Sequence, residues 1–342
     1  MMKIINTKRS TLKLLSLVLV AMLMLPTVEA SAKKLKVALA LPGSVSDKGF
    51  NASAHAGLML IKKRLGSDVE VAFSESVKRP DFVTTLRDYA NRGFDIIYAH
   101  GFQWGDAITK VAEENPKKHF FNVYGSGKAK NLSNLHVRNQ ELFHVLGQIA
   151  AKLSKTNVIG AVGGWEIPPI RIQVDSFRKG VLKANPKATF KAIYTGTFYD
   201  AVKGKEAARA LISQKADVIA HMADSTGLGV IQAANEANVL SIGYFGDQRS
   251  VAPKSVATSA IVSVPELFWL GLQTVIKGKF QNGFKSYGLN SSDVMSVGPF
   301  GSMVPQKVKE EAAKLVKDIS SGKIKIPAPN VPALMKKKIN KI

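Results

Sequence analysis

Six aromatic side chains recur just after apolar runs of this sequence, and short carboxylates and amides accompany them. Phe50 follows the run from Leu35 to Leu41, Phe102 and Trp104 follow Asp95 to Ala99, and Tyr124 follows His119 to Val123. Trp165 follows Asn157 to Val162, and Phe198 follows Phe190 to Tyr194. Asp47 and Asn51 flank the first ring, while Asp200, Asp224, Asp247 and Gln248 occupy comparable places later in the chain. Rings gathered at run ends favour a planar apolar ligand held between aromatic faces, with carboxylates and amides reading its polar edge. The competing readings are local. Each ring can serve as a core residue or a lid on its neighbouring loop, and Asp47 or Asn51 can simply cap the helix that follows.

A reactive set does not assemble from these residues. The six histidines, His55, His100, His119, His136, His144 and His221, show neither His-x-x-x-His nor Glu-paired metal spacing. His100 and His221 end apolar runs, where they can face a cleft or pack in a core. No Gly-x-Ser-x-Gly elbow occurs. Gly125-Ser-Gly-Lys128 lacks the Walker spacing, and Gly160-Ala-Val-Gly-Gly164 lacks the dinucleotide fingerprint, so it reads as close backbone packing. The absence of cysteine excludes disulfides, thiolate metal sites, a cysteine nucleophile and lipid attachment at a cleavage-site cysteine. The expectation is a binding protein with no catalytic residues, no metal and no cofactor.

The elements that must position the rings follow a repeating pattern. From Lys34 onward, short apolar runs alternate with amphipathic stretches: Val69 to Phe73, then Asp81 to Arg92; Asp95 to Ala99, then a helix to Glu114. The alternation restarts at Asn157, with runs at Phe190 to Tyr194, Asp217 to Ala220, Val239 to Gly243 and Val256 to Val262. Such alternation argues for βαβ units and parallel sheets, hence an α/β protein of two lobes. Helices from Pro265 to Lys277 and from Pro305 to Ile319 come last and should return to complete both lobes. The segment Gly43 to Asn51 is then the loop from the first strand into the first helix, at the carboxyl end of a sheet where ligands bind.

The two ends stand apart from that pattern. Lys3, Lys8, Arg9 and Lys13 precede an apolar stretch from Leu14 to Leu25, and Ala30-Ser31-Ala32 follows. This reads as a secretory signal peptide over residues 1–32, cut after Ala32 or after Ala30, giving a periplasmic protein without a lipid anchor. Its apolar run is shorter than the ~20 residues a membrane span needs. The formal charge of +23 invites a nucleic-acid reading, but the lysines are spread over helix surfaces, and residues 331–342 form a basic tail with Lys336-Lys337-Lys338. No nucleic-acid partner is expected, and attraction to an anionic envelope surface is the favoured consequence.

Several of these stretches together resemble one family. Asp47-Lys-Gly-Phe-Asn51, Gly101-Phe102, Ile159-Gly-Ala-Val-Gly-Gly164, Thr197-Phe-Tyr-Asp200, Ser225-Thr-Gly-Leu-Gly229 and Gly243-Tyr-Phe-Gly-Asp-Gln248 fall in its order. The family is the basic membrane protein (BMP) group of ABC-importer substrate-binding proteins, which includes bacterial purine nucleoside receptors. The resemblance implies a type I periplasmic-binding-protein fold, with two Rossmann-like lobes joined by three crossovers and a hinge. The expected boundaries are 33–140 with 258–292 for one lobe, and 141–257 with 293–330 for the other. It implies that Asp47 and Asn51 are polar ligands, that Phe198 stacks on a base, and that Asp224 to Gly227 close on the ligand. Three positions depart from the nucleoside receptors. Tyr124 stands for an Asp, Phe245 for an Asp, and Val262 for a Lys, although Asp247 and Gln248 remain. The resemblance implies that the last two charged residues address ribose, and a cleft without them leaves ribose hydroxyls desolvated and unpaired. The expected ligand is therefore a free purine base, stacked between Phe198 and Phe102 or Trp104 with Trp165 at one edge. The expected partner is an inner-membrane ABC permease, and the expected state is a monomer. The alternatives are an exported enzyme acting on nucleobases or nucleosides, and a receptor for a nucleoside or another small heterocycle.

Overall fold

Strand β1 (Leu35–Ala40) shows how each lobe is built. Its alternate residues go to opposite faces, Val37 and Leu39 into one apolar cluster and Ala38 and Ala40 into another, so the strand is covered on both sides. The structure is a computed structural model that describes residues 34–47 and 49–328. The expected signal peptide and basic tail lie outside the described residues. After β1 come α1 (Phe50–Leu65), β2 (Val69–Ser74), α2 (Phe82–Asn91), β3 (Ile96–His100), α3 (Gly105–Glu114), β4 (His119–Val123) and β5 (Leu132–Val137). The chain then crosses to the second sheet through α4 (Asn139–Leu153), β6 (Val158–Gly163), α5 (Pro168–Ala184), β7 (Thr189–Tyr194), α6 (Ala201–Ser213), β8 (Val218–Met222), α7 (Thr226–Glu236), β9 (Leu240–Phe245) and β10 (Val256–Val262). It returns through α8 (Val264–Ile276) and β11 (Gly283–Tyr287), and goes back once more with β12 (Met295–Val297) and α9 (Gln306–Ser320).

Among the described residues these strands form two six-stranded sheets, ordered β11-β5-β4-β3-β1-β2 and β12-β10-β9-β8-β6-β7. The pairs are parallel except β10 with β12. This is the two-lobed α/β architecture, and in each sheet the strand order reverses beside the first strand, where a crevice opens at the carboxyl ends. One expected boundary is corrected. β10 pairs with β9 from Val256 to Ile261, so it belongs to the second sheet, and the crossing falls at Ser263 rather than between 257 and 258. The side chain of Ser263 caps α8 by accepting from Glu266 N, which starts the return helix right after the crossing.

The return of α8 to the first lobe is locked by rings. Tyr98 stacks on Phe268 at 4.5 Å and on Phe121 at 4.8 Å, and its hydroxyl donates to Phe268 O at 2.9 Å. In the second lobe α4 and α5 pack backbone to backbone at Gly147 and Gly180. A Cβ at Gly147 would collide with Phe177 O, and one at Gly180 with His144 O.

Candidate ligand-binding cleft

The loops at the carboxyl ends of both sheets enclose a cavity of about 320 Å³. Phe50, Phe102, Tyr124, Phe198, Tyr199, Tyr244 and Phe245 supply its rings, and Asn51, Gln103, Asn139, Gln173 and Asp224 its polar side chains. Pro42, Gly43, Ile167, Pro169 and Ile170 complete the wall. Among the described residues that line the cavity there is no Lys, Arg or His, in a chain of formal charge +23. Arg171, next to the lining residue Ile170, is fully buried and ion-pairs with Glu166 at 2.9 Å.

Three of the lining residues sit in the left-handed backbone region: Tyr124 with φ 60°, Asp224 with φ 43° and Phe245 with φ 69°. Each follows or ends a strand, β4, β8 and β9 respectively. Non-glycine residues in that region cost about 1–2 kcal/mol apiece, and such strain collects at sites where a side chain must be aimed. Here the turn sends each side chain off the sheet edge and into the cleft.

On the first-lobe side, the loop before α1 is held by its own residues. The Asp47 carboxylate accepts from the backbone N–H of Gly49, Asn51 and Ala52, each at 2.9 Å, and from Asn51 Nδ2 at 2.7 Å. Burial works to raise this carboxyl, but those four donors hold it below its ordinary value, so it stays ionised. Asn51 Oδ1 in turn accepts from Gly43 N at 3.2 Å. Phe50 lies tilted against His100, ring centroids 3.8 Å apart, and burial lowers that imidazole to about 3, so it is neutral. Asn122 is fully buried and donates to Ala99 O and Gly101 O at 3.2 and 2.9 Å, fixing the turn that carries Phe102.

On the second-lobe side, Phe198 lies over Gly164, where a Cβ would collide with its ring. Gln248 braces the end of β9 from behind: its Oε1 accepts from Tyr244 N at 3.0 Å and from His221 Nε2 at 2.8 Å. The Gln173 amide donates from Nε2 to the Tyr244 hydroxyl at 2.8 Å. Asp224 is different in kind. Burial, with the Asp47 carboxylate adding to it, pushes its carboxyl up to about 7. The two carboxylates come from opposite lobes, and Gly49 lies between them: a methyl added there would sit 3.7 Å from Asp224 Cβ.

Phe50, Asn51, Phe102, Tyr124, Phe198, Asp224 and Phe245 thus come together around one cavity, and six other expected site residues do not line it. Trp104 is fully buried behind the first sheet, stacked on Phe82 at 3.7 Å, because the short turn from Phe102 points its indole inward. It cannot be the second wall of a sandwich, which leaves Phe102, 62 % exposed, on that side. Trp165 is 54 % exposed and stands outside the cavity. Asp47 serves the start of α1, as above. Asp200 caps α6 by accepting from Lys203 N at 3.1 Å. Gly227 lies against the His221 ring within α7, and Asp247 pairs with Arg249 at 2.8 Å on the surface. The carboxylates of Asp47 and Asp200 are taken up by orphan backbone N–H groups at helix starts.

The residues that sequence reasoning passed over include Gln103, Asn139, Gln173, Tyr199 and Tyr244. Gln173 did leave a trace. It interrupts the apolar face that Ile170, Val174 and Phe177 define along α5, and a polar residue on a buried stripe marks a site or a network.

Comparison with known proteins agrees with this architecture. A purine-binding protein of Brucella abortus is 28% identical over 306 residues, spanning 89% of this chain and 86% of its own. The transcriptional activator protein Med of Bacillus subtilis is 27% identical over 283 residues, spanning 82% of this chain and 87% of its own. A solute-binding protein of an ABC transporter system from Conexibacter woesei superposes with a TM-score of 0.67 at 27% identity, covering 86% of this chain and 99% of that one. The profile of the Bmp family, described as ABC transporter substrate-binding protein PnrA-like, matches residues 34–330. The chain belongs to the Bmp family of PnrA-like ABC transporter substrate-binding proteins.

Proposed function

We propose that the protein is the extracytoplasmic, monomeric receptor of an ABC importer, and that it captures a free purine base in the cleft between its lobes and delivers it unchanged to the permease. The observation that carries the reading is the composition of the cavity wall. Seven rings surround about 320 Å³, with amides and one carboxyl among them and no cationic side chain among the described lining residues. That volume is at the small end of the roughly 300–1,000 Å³ spanned by ligand cavities, which suits a fused ring pair. Phosphate or carboxylate groups would find no positive partner among the described lining residues and would face Asp224, which disfavours nucleotides and organic acids. The relative from Brucella abortus is named for purine binding, which supports the same class of ligand. Tyr124 and Phe245, where the resemblance expects charged residues, present rings to the cavity instead and favour the base over its nucleoside.

Calorimetry of the purified chain with adenine, guanine and hypoxanthine, and with their nucleosides, tests the reading. The bases are expected to bind more tightly. Tight binding of adenosine or guanosine with no binding of any base overturns it. Chromatography of labelled purines after incubation should return them intact, whereas a turned-over product would favour an enzyme.

A further inference from the structure

Tyr124 and Asp224 meet the cleft from opposite lobes with three oxygens that no other described residue engages. Both side chains line the cavity. The two carboxyl oxygens of Asp224 and the Tyr124 hydroxyl make no hydrogen bond to a described residue, and none of the three is sealed off, although both residues are partly buried. In this they differ from Asn51, whose amide is spent on Asp47 and Gly43, and from Gln173, whose carbonyl oxygen is sealed. The two residues flank one loop. Gly49, where a methyl would sit 3.7 Å from Asp224 Cβ, precedes Phe50, and the Phe50 ring lies 6.0 Å from the Tyr124 ring. Each holds a left-handed φ just past the end of its strand. Tyr124 N donates to Leu135 O at 2.9 Å, so the turn is fixed while the hydroxyl proton can rotate toward a partner.

Burial sets the protonation states. It keeps the Tyr124 phenol protonated, with the Asp224 charge adding to the effect, and it raises Asp224 to about 7, with Asp47 adding there. Tyr199 and Tyr244 also feel the Asp224 charge, and both are raised chiefly by burial. Above pH 7, then, Asp224 offers two acceptors and Tyr124 one donor. The ligand edge that meets them runs donor, donor, acceptor. Of adenine, hypoxanthine and guanine, guanine carries that run, at N2–H, N1–H and O6. Hypoxanthine lacks the first donor, and adenine presents an acceptor at N1. We propose that Asp224 and Tyr124 form a guanine-selecting pair, the carboxylate accepting from N2–H and N1–H and the Tyr124 O–H donating to O6. The assignment rests on the purine reading above and deepens it by naming the base. Because the two residues come from different lobes, the same edge ties the lobes together.

The test is calorimetry of the full chain at pH 8 with guanine, adenine and 2-aminopurine, which keeps the amino group of guanine but lacks O6 and the N1 proton. Guanine is expected to bind the unmodified protein about tenfold or more tighter than either of the others. Tyr124→Phe is expected to weaken guanine about tenfold while changing 2-aminopurine about threefold or less, because 2-aminopurine has no O6 to lose its donor. Adenine or 2-aminopurine binding the unmodified protein as tightly as guanine overturns the assignment and needs no variant. Equal weakening of guanine and 2-aminopurine by Tyr124→Phe overturns it too, since Tyr124 would then contribute its ring alone. If no purine binds, the purine reading falls and takes this assignment with it; if purines bind without this order, only this assignment falls.

Discussion

Phe198 and Asp224 both line the cleft, but their loss should read out differently. Phe198 offers a ring face over the Gly164 backbone, and truncating a stacking ring costs on the order of 1–3 kcal/mol by analogy with bases stacked on other proteins. Phe198→Ala is therefore expected to weaken purine binding roughly ten- to a hundred-fold in calorimetry, with the melting temperature little changed. An unaltered affinity would remove Phe198 from the site. Asp224 should act through protons. Its carboxyl is raised to about 7 by burial and by Asp47, with Tyr124, Tyr199 and Tyr244 close enough to feel the same charges and no cation among the described residues that line the cavity. Between the ordinary carboxylate range and about 7 the folded state holds a proton that the unfolded chain has released, so stability contributed at this site falls as pH rises through that window. Asp224→Asn should accordingly raise the melting temperature more at pH 8 than at pH 5; an equal change at both would show that the carboxyl titrates normally. The same proton should sort ligands. An ionised Asp224 suits the paired N–H donors of guanine and a protonated one suits the amidine edge of adenine, so guanine binding is expected to strengthen and adenine binding to weaken from pH 6 to pH 8.

At the scale of elements, the α4–α5 pair carries the cleft residues Asn139, Ile170 and Gln173, and it depends on two glycines facing each other. Gly147→Ala would gain about 1 kcal/mol of helix propensity. Its new methyl, however, would meet the Phe177 carbonyl, a backbone atom that cannot yield without moving α5. Overpacking of this kind costs about 1–3 kcal/mol, so net destabilisation is expected in urea unfolding, together with weaker ligand binding as Gln173 shifts. A stabilised variant would mean that the helices separate freely. The elements themselves were largely legible. Each helix named here coincides with an amphipathic stretch of the sequence, and β1 with its buried run, because period and burial agree there. β5 was not legible, since Ser133, Asn134 and His136 break its apolar character. The structure shows why they are tolerated: Asn134 Nδ2 donates to Gly127 O at 2.8 Å and His136 Nε2 meets Gly125 O at 2.6 Å, bonds to a loop that no local pattern announces. The site was half legible for a related reason. Rings at strand ends such as Phe50 and Phe198 signal themselves, but whether Trp104 turns inward depends on Phe82, which only the fold brings close, and at Asp200 a local cap competes with a ligand role that the same residue type would signal.

Over the whole molecule, the chain passes between lobes at Val137–Asn139, at Ser263 and between Tyr287 and Met295, and a polar network ties the first and third of these together. Arg138 holds Glu141 at 2.5 Å and donates to Ser286 O and to Asn290 Oδ1, while Glu141 Oε2 accepts from Leu289 N at 2.9 Å. Adjacent crossings fixed to one another make a stiff axis, about which two otherwise separate cores can rotate. At the far side of the cleft, the loop around Gly49 meets Asp224 and brings Asp47 toward it, with Phe102 and Tyr199 at the rim. Two carboxyls approaching with no cation among the described residues of the cleft oppose closure unless Asp224 takes up a proton or a ligand supplies donors. A ligand that stacks between lobes and gives hydrogen bonds to Asp224 binds the closed arrangement better than the open one, and that difference is what shifts the population. Small-angle scattering should therefore show a smaller radius of gyration with saturating adenine than without it at pH 8. The difference should shrink at pH 5, where protonation of Asp224 already relieves the opposition. Asp224→Asn should likewise be more closed than the unmodified chain without ligand. A radius that ignores both ligand and pH would mean that the lobes are held at one angle and that the Arg138–Glu141 network is a rigid strut instead of a hinge.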